Sequence, residues 1–110
     1  MGIRGEKVKA LKSVFDPVVV LRDRGMCVLC NEPYWDVHEI ISRSQFSTPE
    51  LERCILPQNM VCLCRTHHTE AQGNLLMSGK LLRMLADEYE YNYDKYPYNW
   101  YIQMEIGIIK

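Results

Sequence analysis

Cys64-Arg65-Thr66-His67-His68 is the stretch on which the reading of this chain turns. A cysteine and a histidine two residues apart share one tight turn, which brings their ligand atoms within about 4 Å, as a tetrahedral zinc ion requires. Far upstream, Cys27-Val28-Leu29-Cys30 has the same spacing. Together the two turns supply Cys27, Cys30, Cys64 and His67 to one structural Zn²⁺. A domain of 110 residues buries a modest fraction of its surface, so closure through an ion adds much to a thin core. A redox dithiol is the competing use of Cys27 and Cys30. Val28-Leu29 between them and the absence of a βαβ pattern weaken it. Cys54 has no partner at ligand spacing and reads as structural. Cys62, on an expected strand, reads as a buried small hydrophobe, and is the one thiol able to replace a named ligand.

Outward from the clamp, the chain reads as one domain over residues 1–110, without internal repeat or low-complexity linker. Val8, Leu11, Val14 and Phe15 at helical spacing predict a first helix over 6–15. Asp16-Pro17 interrupts it, and Pro17 opens a second short helix through about Asp23, ended by Gly25. Trp35 to Ile41 and Met60 to Leu63 read as strands. The polar stretch Ser42 to Gln58, broken by Pro49 and Pro57, reads as a loop with one helical turn near Glu50–Arg53. A helix begins at His67 and runs to Ala71. After Gly73-Asn74, a C-terminal helix follows over about 75–92, and then a tyrosine-rich tail, 93–110, too irregular to assign. Those tyrosines read as a packing set, with stacking on bases as the alternative.

Composition narrows the class. With 47% hydrophobic and 25% charged residues, the chain is neither disordered, collagen-like nor coiled-coil. No apolar run, Pro17 to Leu21 included, is long enough for a signal peptide or a membrane span. A cytoplasmic setting without membrane contact is expected, and in that reducing medium cysteines serve as ligands rather than disulfides. The net charge is −1, which does not point to nucleic acid. Residues 1–86 carry 11 Lys+Arg against 9 Asp+Glu, whereas residues 87–110 carry 2 against 5.

Between the clamp halves lies Asp36-Val37-His38-Glu39-Ile40-Ile41-Ser42-Arg43, and the downstream half follows Asn59-Met60-Val61-Cys62-Leu63. This order resembles the HNH endonucleases, and among them the small HNH proteins of bacteriophages. The resemblance covers about residues 21–72. It implies an α+β fold: a small single domain with a ββα-metal core, zinc-stapled and flanked by N-terminal and C-terminal helices. It implies hydrolysis of DNA phosphodiester bonds by nicking or double-strand cutting, dependent on Mg²⁺, Mn²⁺ or a similar divalent cation. His38 falls on the first-strand ligand position, His68 on the helix ligand position, and Asn59 on the central asparagine. Cys27, Cys30, Cys64 and His67 fall on the structural zinc positions, with His67 where a fourth cysteine is commoner. The expected partner is DNA, and the low charge suggests help from another phage protein or a homodimer. A phage-encoded chain would work in the host cell cytoplasm.

The chemistry fits this layout. Cleaving a phosphodiester needs an activated water and stabilisation of charge on the transition state and leaving oxygen. Imidazole and carboxylate suit a divalent cation. Arg43 and Arg65 are positioned in sequence to grip phosphate. Two departures from the family pattern stand out. Glu39 occupies the place of a second histidine and, with a reference pKa of about 4.3 against about 6.5, is the weaker base. It is the base itself, or a metal ligand beside His38 as base, or a change that slows or abolishes catalysis and leaves a zinc-stabilised module binding DNA or protein. Gln72 stands where some members carry another histidine, so Gln72 or Glu70 is expected to complete the metal shell.

Overall fold

The structure, a computed structural model, describes residues 2–107. Among the described residues, four helices and a two-stranded antiparallel sheet follow in the order α1 (Gly2–Arg22), β1 (Asp36–Glu39), β2 (Met60–Leu63), α2 (Arg65–Ala71), α3 (Leu75–Glu88) and α4 (Tyr98–Glu105). The chain is therefore a small α+β domain. Among the described residues no helix is long and apolar enough to cross a membrane. Residues 108–110 of the expected tail lie outside the described residues.

Helix α1 runs unbroken through Pro17, where the sequence predicted two helices. A proline inside a helix forfeits its own N–H bond and crowds the preceding turn. Here apolar anchors hold the helix on both sides, with Val8 and Val19 buried and Leu11 and Phe15 packed against the core. Lys12 and Asp16 add an ion pair of 2.9 Å along the same turn, and Pro17 itself is exposed. The helix ends at Arg22, and positive φ at Arg24 and Gly25 turns the chain toward the clamp.

That end of α1 is pinned to the sheet. Arg22 forks onto Asp23 at 2.8 and 3.0 Å and donates to the carbonyls of Pro57 and Met60 at 2.8 and 2.6 Å. Asp23 in turn accepts the Cys62 N–H at 2.9 Å. Strand β2 is buried along its whole length.

The strands pair in the register Asp36↔Leu63, Val37↔Cys62, His38↔Val61 and Glu39↔Met60. The ladder is shorter than the predicted Trp35–Ile41, although Trp35 N–H to Leu63 O and Ile40 N–H to Asn59 O continue it by one bond at each end. Beyond that, the Asn59 carboxamide replaces the strand. The connection expected as a loop holds three short 3₁₀ segments, Arg43–Gln45, Thr48–Ile55 and Pro57–Asn59.

Helix α2 starts at Arg65, before the predicted His67, because the Cys64 side chain caps it by accepting the His67 N–H. Helix α3 is capped by Asn74 and stops at Glu88 rather than about residue 92. The chain then extends so that Tyr89, Tyr91, Tyr93 and Tyr98 form consecutive ring contacts at 5.1–6.2 Å, reaching Phe46 at 5.9 Å. Arg22 and Arg53 lie over this series. The tyrosines are thus chiefly packing groups. The tail left unassigned forms α4, which packs on α3 where Gly79 meets the Tyr101 backbone and Arg83 pairs with Glu105 at 2.9 Å.

Candidate metal sites

The two knuckles meet. Cys27 follows the turn after α1, Cys30 ends a turn closed by Asn31 at positive φ, and Cys64 and His67 open α2. Their ligand atoms all lie within 4.8 Å of one another. Cys27 Sγ and Cys64 Sγ are 3.5 and 3.3 Å from His67 Nδ1, and the Cys30 and Cys64 sulfurs are 3.8 Å apart. Zinc–sulfur bonds of about 2.3 Å and zinc–nitrogen bonds of about 2.0–2.1 Å place tetrahedral ligand atoms about 3.5–3.8 Å apart. The cluster therefore has the size a zinc ion needs.

Its electrostatics agree. Burial raises the Cys27 thiol, but backbone N–H groups of Cys64, Leu29 and Cys30 outweigh this and bring it down to about 7. At Cys30 the Glu32 N–H acts downward, while burial and the neighbouring thiols of Cys27 and Cys64 carry it up to about 11. One thiolate forms readily and makes the next harder, a conflict that a cation among them removes. Cys54 and Cys62 stand apart. Burial, followed by Glu39 for the first and Asp23 for the second, pushes each up to about 12. Cys62 replaces none of the four ligands.

A second constellation lies one residue further along α2. An open cleft of about 700 Å³ is lined by Lys12, Asp36, His38, Glu39, Arg43, His68 and Gln72. His38, on β1, meets His68, on α2, edge to face with ring centroids 5.1 Å apart. His38 Nε2 and His68 Nδ1 are buried and have no hydrogen-bond partner among the described residues. Unpaired buried nitrogens are costly, and imidazole nitrogen is a good divalent-metal ligand. Burial, then His68 and Lys12, lower His38 to about 4 against the opposing pull of Asp36, so the ring is neutral and its lone pair free at pH 7. The other His68 nitrogen, Nε2, lies 3.2 Å from Gln72 Nε2 and 4.0 Å from the Asp36 carboxylate.

The sequence-predicted residues separate into those the fold gathers and those it does not. His38, Glu39, His68, Gln72 and Arg43 share the cleft. Glu39 follows His38 at the end of β1, and its carboxylate is held by Arg43 at 3.6 Å. Asn59 does not line the cleft. Its carboxamide is fully buried, accepting from Ile41 N–H at 3.1 Å and donating to the carbonyls of Ile41 and Cys54 at 3.0 and 2.7 Å. Asn59 thus closes the neck of the 42–58 connection and sets the end of β1. Glu70 is exposed two residues after His68, about 200° around the helix, and is not brought to the cleft. Arg65 is exposed outside it, 5.9 Å over the Trp35 ring.

Three contributors were not singled out from sequence. Lys12 reaches the cleft from α1 and donates to the Val37 carbonyl at 3.5 Å. Its signal was its place one turn after Val8 on the first helix. Asp36 and Trp35 flank His68, and adjacency to His38 was their only mark. No family model matches this chain, and no curated protein or solved structure matches it significantly.

Proposed function

We propose that the chain is a divalent-metal-dependent endonuclease of the HNH type, with a ββα-metal core held by structural zinc at Cys27, Cys30, Cys64 and His67. The observation that carries this reading is the pair of buried, unpartnered nitrogens, His38 Nε2 and His68 Nδ1, at the cleft. The strand–strand–helix order β1, β2, α2 that delivers them supports it. His38 and His68 would hold a Mg²⁺, Mn²⁺ or similar ion through these two nitrogens. When bound, such an ion polarises the phosphoryl oxygens and stabilises the leaving oxygen.

The remaining steps belong to the protein. Gln72 and Asp36 fix the His68 ring through its second nitrogen. Glu39 faces the cleft and accepts the proton of the attacking water, and Arg43 orients its carboxylate. The contact of His38 with His68 favours the ligand role for His38 and leaves the base role to Glu39. Asn59 holds β1 and the connection in register.

The test is plasmid relaxation titrated with Mg²⁺ and Mn²⁺. The wild type should nick or linearise DNA, whereas His38→Ala and His68→Ala should lose at least about 100-fold. Glu39→Gln should fall to a similar level, while Glu39→His should retain or gain activity. Variants that cut as fast as the parent after repurification refute the assigned site.

The Glu39–Arg43 ion pair favours a second reading, in which the carboxylate is occupied and the domain binds DNA or protein without cutting. It predicts binding with no cleavage across the metal series, and cleavage only on Glu39→His.

A further inference from the structure

Trp35 is a large aromatic left 57% exposed at the rim of the cleft, next to Tyr34 at 40%. Its backbone is fixed, since Trp35 N–H donates to Leu63 O at 2.8 Å as the ladder's last bond. The ring rests against His68 with centroids 5.4 Å apart, and the Arg65 guanidinium lies 5.9 Å from it. Beside it, an open groove of about 640 Å³ runs between α1 and residues 34–37, lined by Pro17, Leu21, Tyr34 and Trp35.

The charges around the cleft sharpen what this ring is for. Arg43 is paired with Glu39 at 3.6 Å, Lys12 with Asp16 at 2.9 Å, and the chain carries a net −1. Attraction of the phosphate backbone, the usual main source of affinity, is therefore weak here. Base stacking on an exposed aromatic supplies affinity that does not depend on net charge. A base within a continuous duplex has both faces covered, so only an unpaired base can lie on such a ring.

On the nuclease reading above, we propose that Trp35 is a stacking platform for an unpaired nucleobase beside the bound phosphate, and that the protein prefers single-stranded or locally unpaired DNA to continuous duplex. Arg65, over the same ring, is placed to meet the phosphate next to that base.

The experiment uses the full chain with zinc supplied and no other divalent cation. Tryptophan emission is followed while an oligothymidine or a covalently closed, relaxed plasmid duplex is added. Trp35 and Trp100 are the two tryptophans, and Trp100 is half-buried against Tyr101 in α4. The oligothymidine should quench emission in the wild type and not in Trp35→Phe, and the duplex should quench it far less. Trp35→Ala should weaken single-strand binding about 5- to 100-fold by anisotropy, with Trp35→Phe in between. Equal binding by Trp35→Ala and wild type, equal quenching by duplex, or a signal that follows protein concentration rather than oligonucleotide would overturn the proposal. His68→Ala separates it from the nuclease reading: loss of cutting with quenching retained supports both. Quenching in a wild type that never cuts supports the stacking site alone, and cutting without quenching removes it alone.

Discussion

Replacing Asn59 by alanine should damage this protein out of proportion to the side chain's size. The carboxamide is fully buried and makes three hydrogen bonds, one from Ile41 N–H and two to the carbonyls of Ile41 and Cys54. Alanine leaves all three backbone groups buried without that partner, and at about 1–1.5 kcal/mol each the loss is about 3–5 kcal/mol. A domain of this size holds about 5–15 kcal/mol in total, so a large part of its stability goes with one residue. The melting temperature should fall by about 12–40 °C, at about 4–8 °C per kcal/mol for small domains. Asn59→Asp keeps the acceptor for Ile41 N–H but sets a second oxygen against two carbonyls. At neutral pH it should therefore cost at least as much as alanine. Its deficit should shrink on acidification, because a protonated carboxyl can donate again. Urea denaturation of zinc-loaded wild type, Asn59→Ala and Asn59→Asp measures all of this. A loss below about 1 kcal/mol for Asn59→Ala would refute the view that this side chain closes the 42–58 connection.

Other outcomes follow from the same contacts. The purified protein should carry one zinc per chain, and Cys30→Ala or Cys64→Ala should lose both the metal and much of the stability, checked by metal analysis and melting. Thiol titration should find Cys30 and Cys64 protected while zinc is bound and reactive once it is removed, and Cys54 and Cys62 reactive only on unfolding, since both are fully buried. Gly79→Ala should destabilise by about 1–3 kcal/mol, because a Cβ there meets the Tyr101 backbone and drives α4 off α3. Arg22→Lys should cost about 1–3 kcal/mol by equilibrium denaturation, since a single ammonium cannot span Asp23 and the carbonyls of Pro57 and Met60 together.

The Cys/His cluster was legible in the sequence because its geometry is local. Two ligands two residues apart must share a turn, and only the meeting of Cys27-Cys30 with Cys64-His67 depended on the rest of the fold. The approach of His38 to His68 was implied only by the family resemblance and not by any local spacing. Pro17 misled, since a rule about one peptide unit was outvoted by Val8 and Val19 anchoring the helix on either side of it. Helix α4 was hidden for the opposite reason. Its hold comes from packing against Gly79 on α3, which local propensity does not record. Asn59 was found by its place in the motif, but its backbone partners, Ile41 and Cys54, were not, because they depend on how the 42–58 connection folds back. Trp35 offered no pattern beyond being next to Asp36.

His67 and His68 are neighbours in one seven-residue helix, yet one turns to the cysteines and the other to His38. On the proposed assignment they serve two ions with opposite habits, one locked in by thiolates and one freely exchanging. A strong chelator would then stop cutting by either of two routes, and dependence on it would not identify the working metal. A weak chelator that leaves the zinc in place, followed by addition of single metals, separates the routes. Swapping the two side chains' partners by a one-residue insertion at the start of α2 should disable both sites at once.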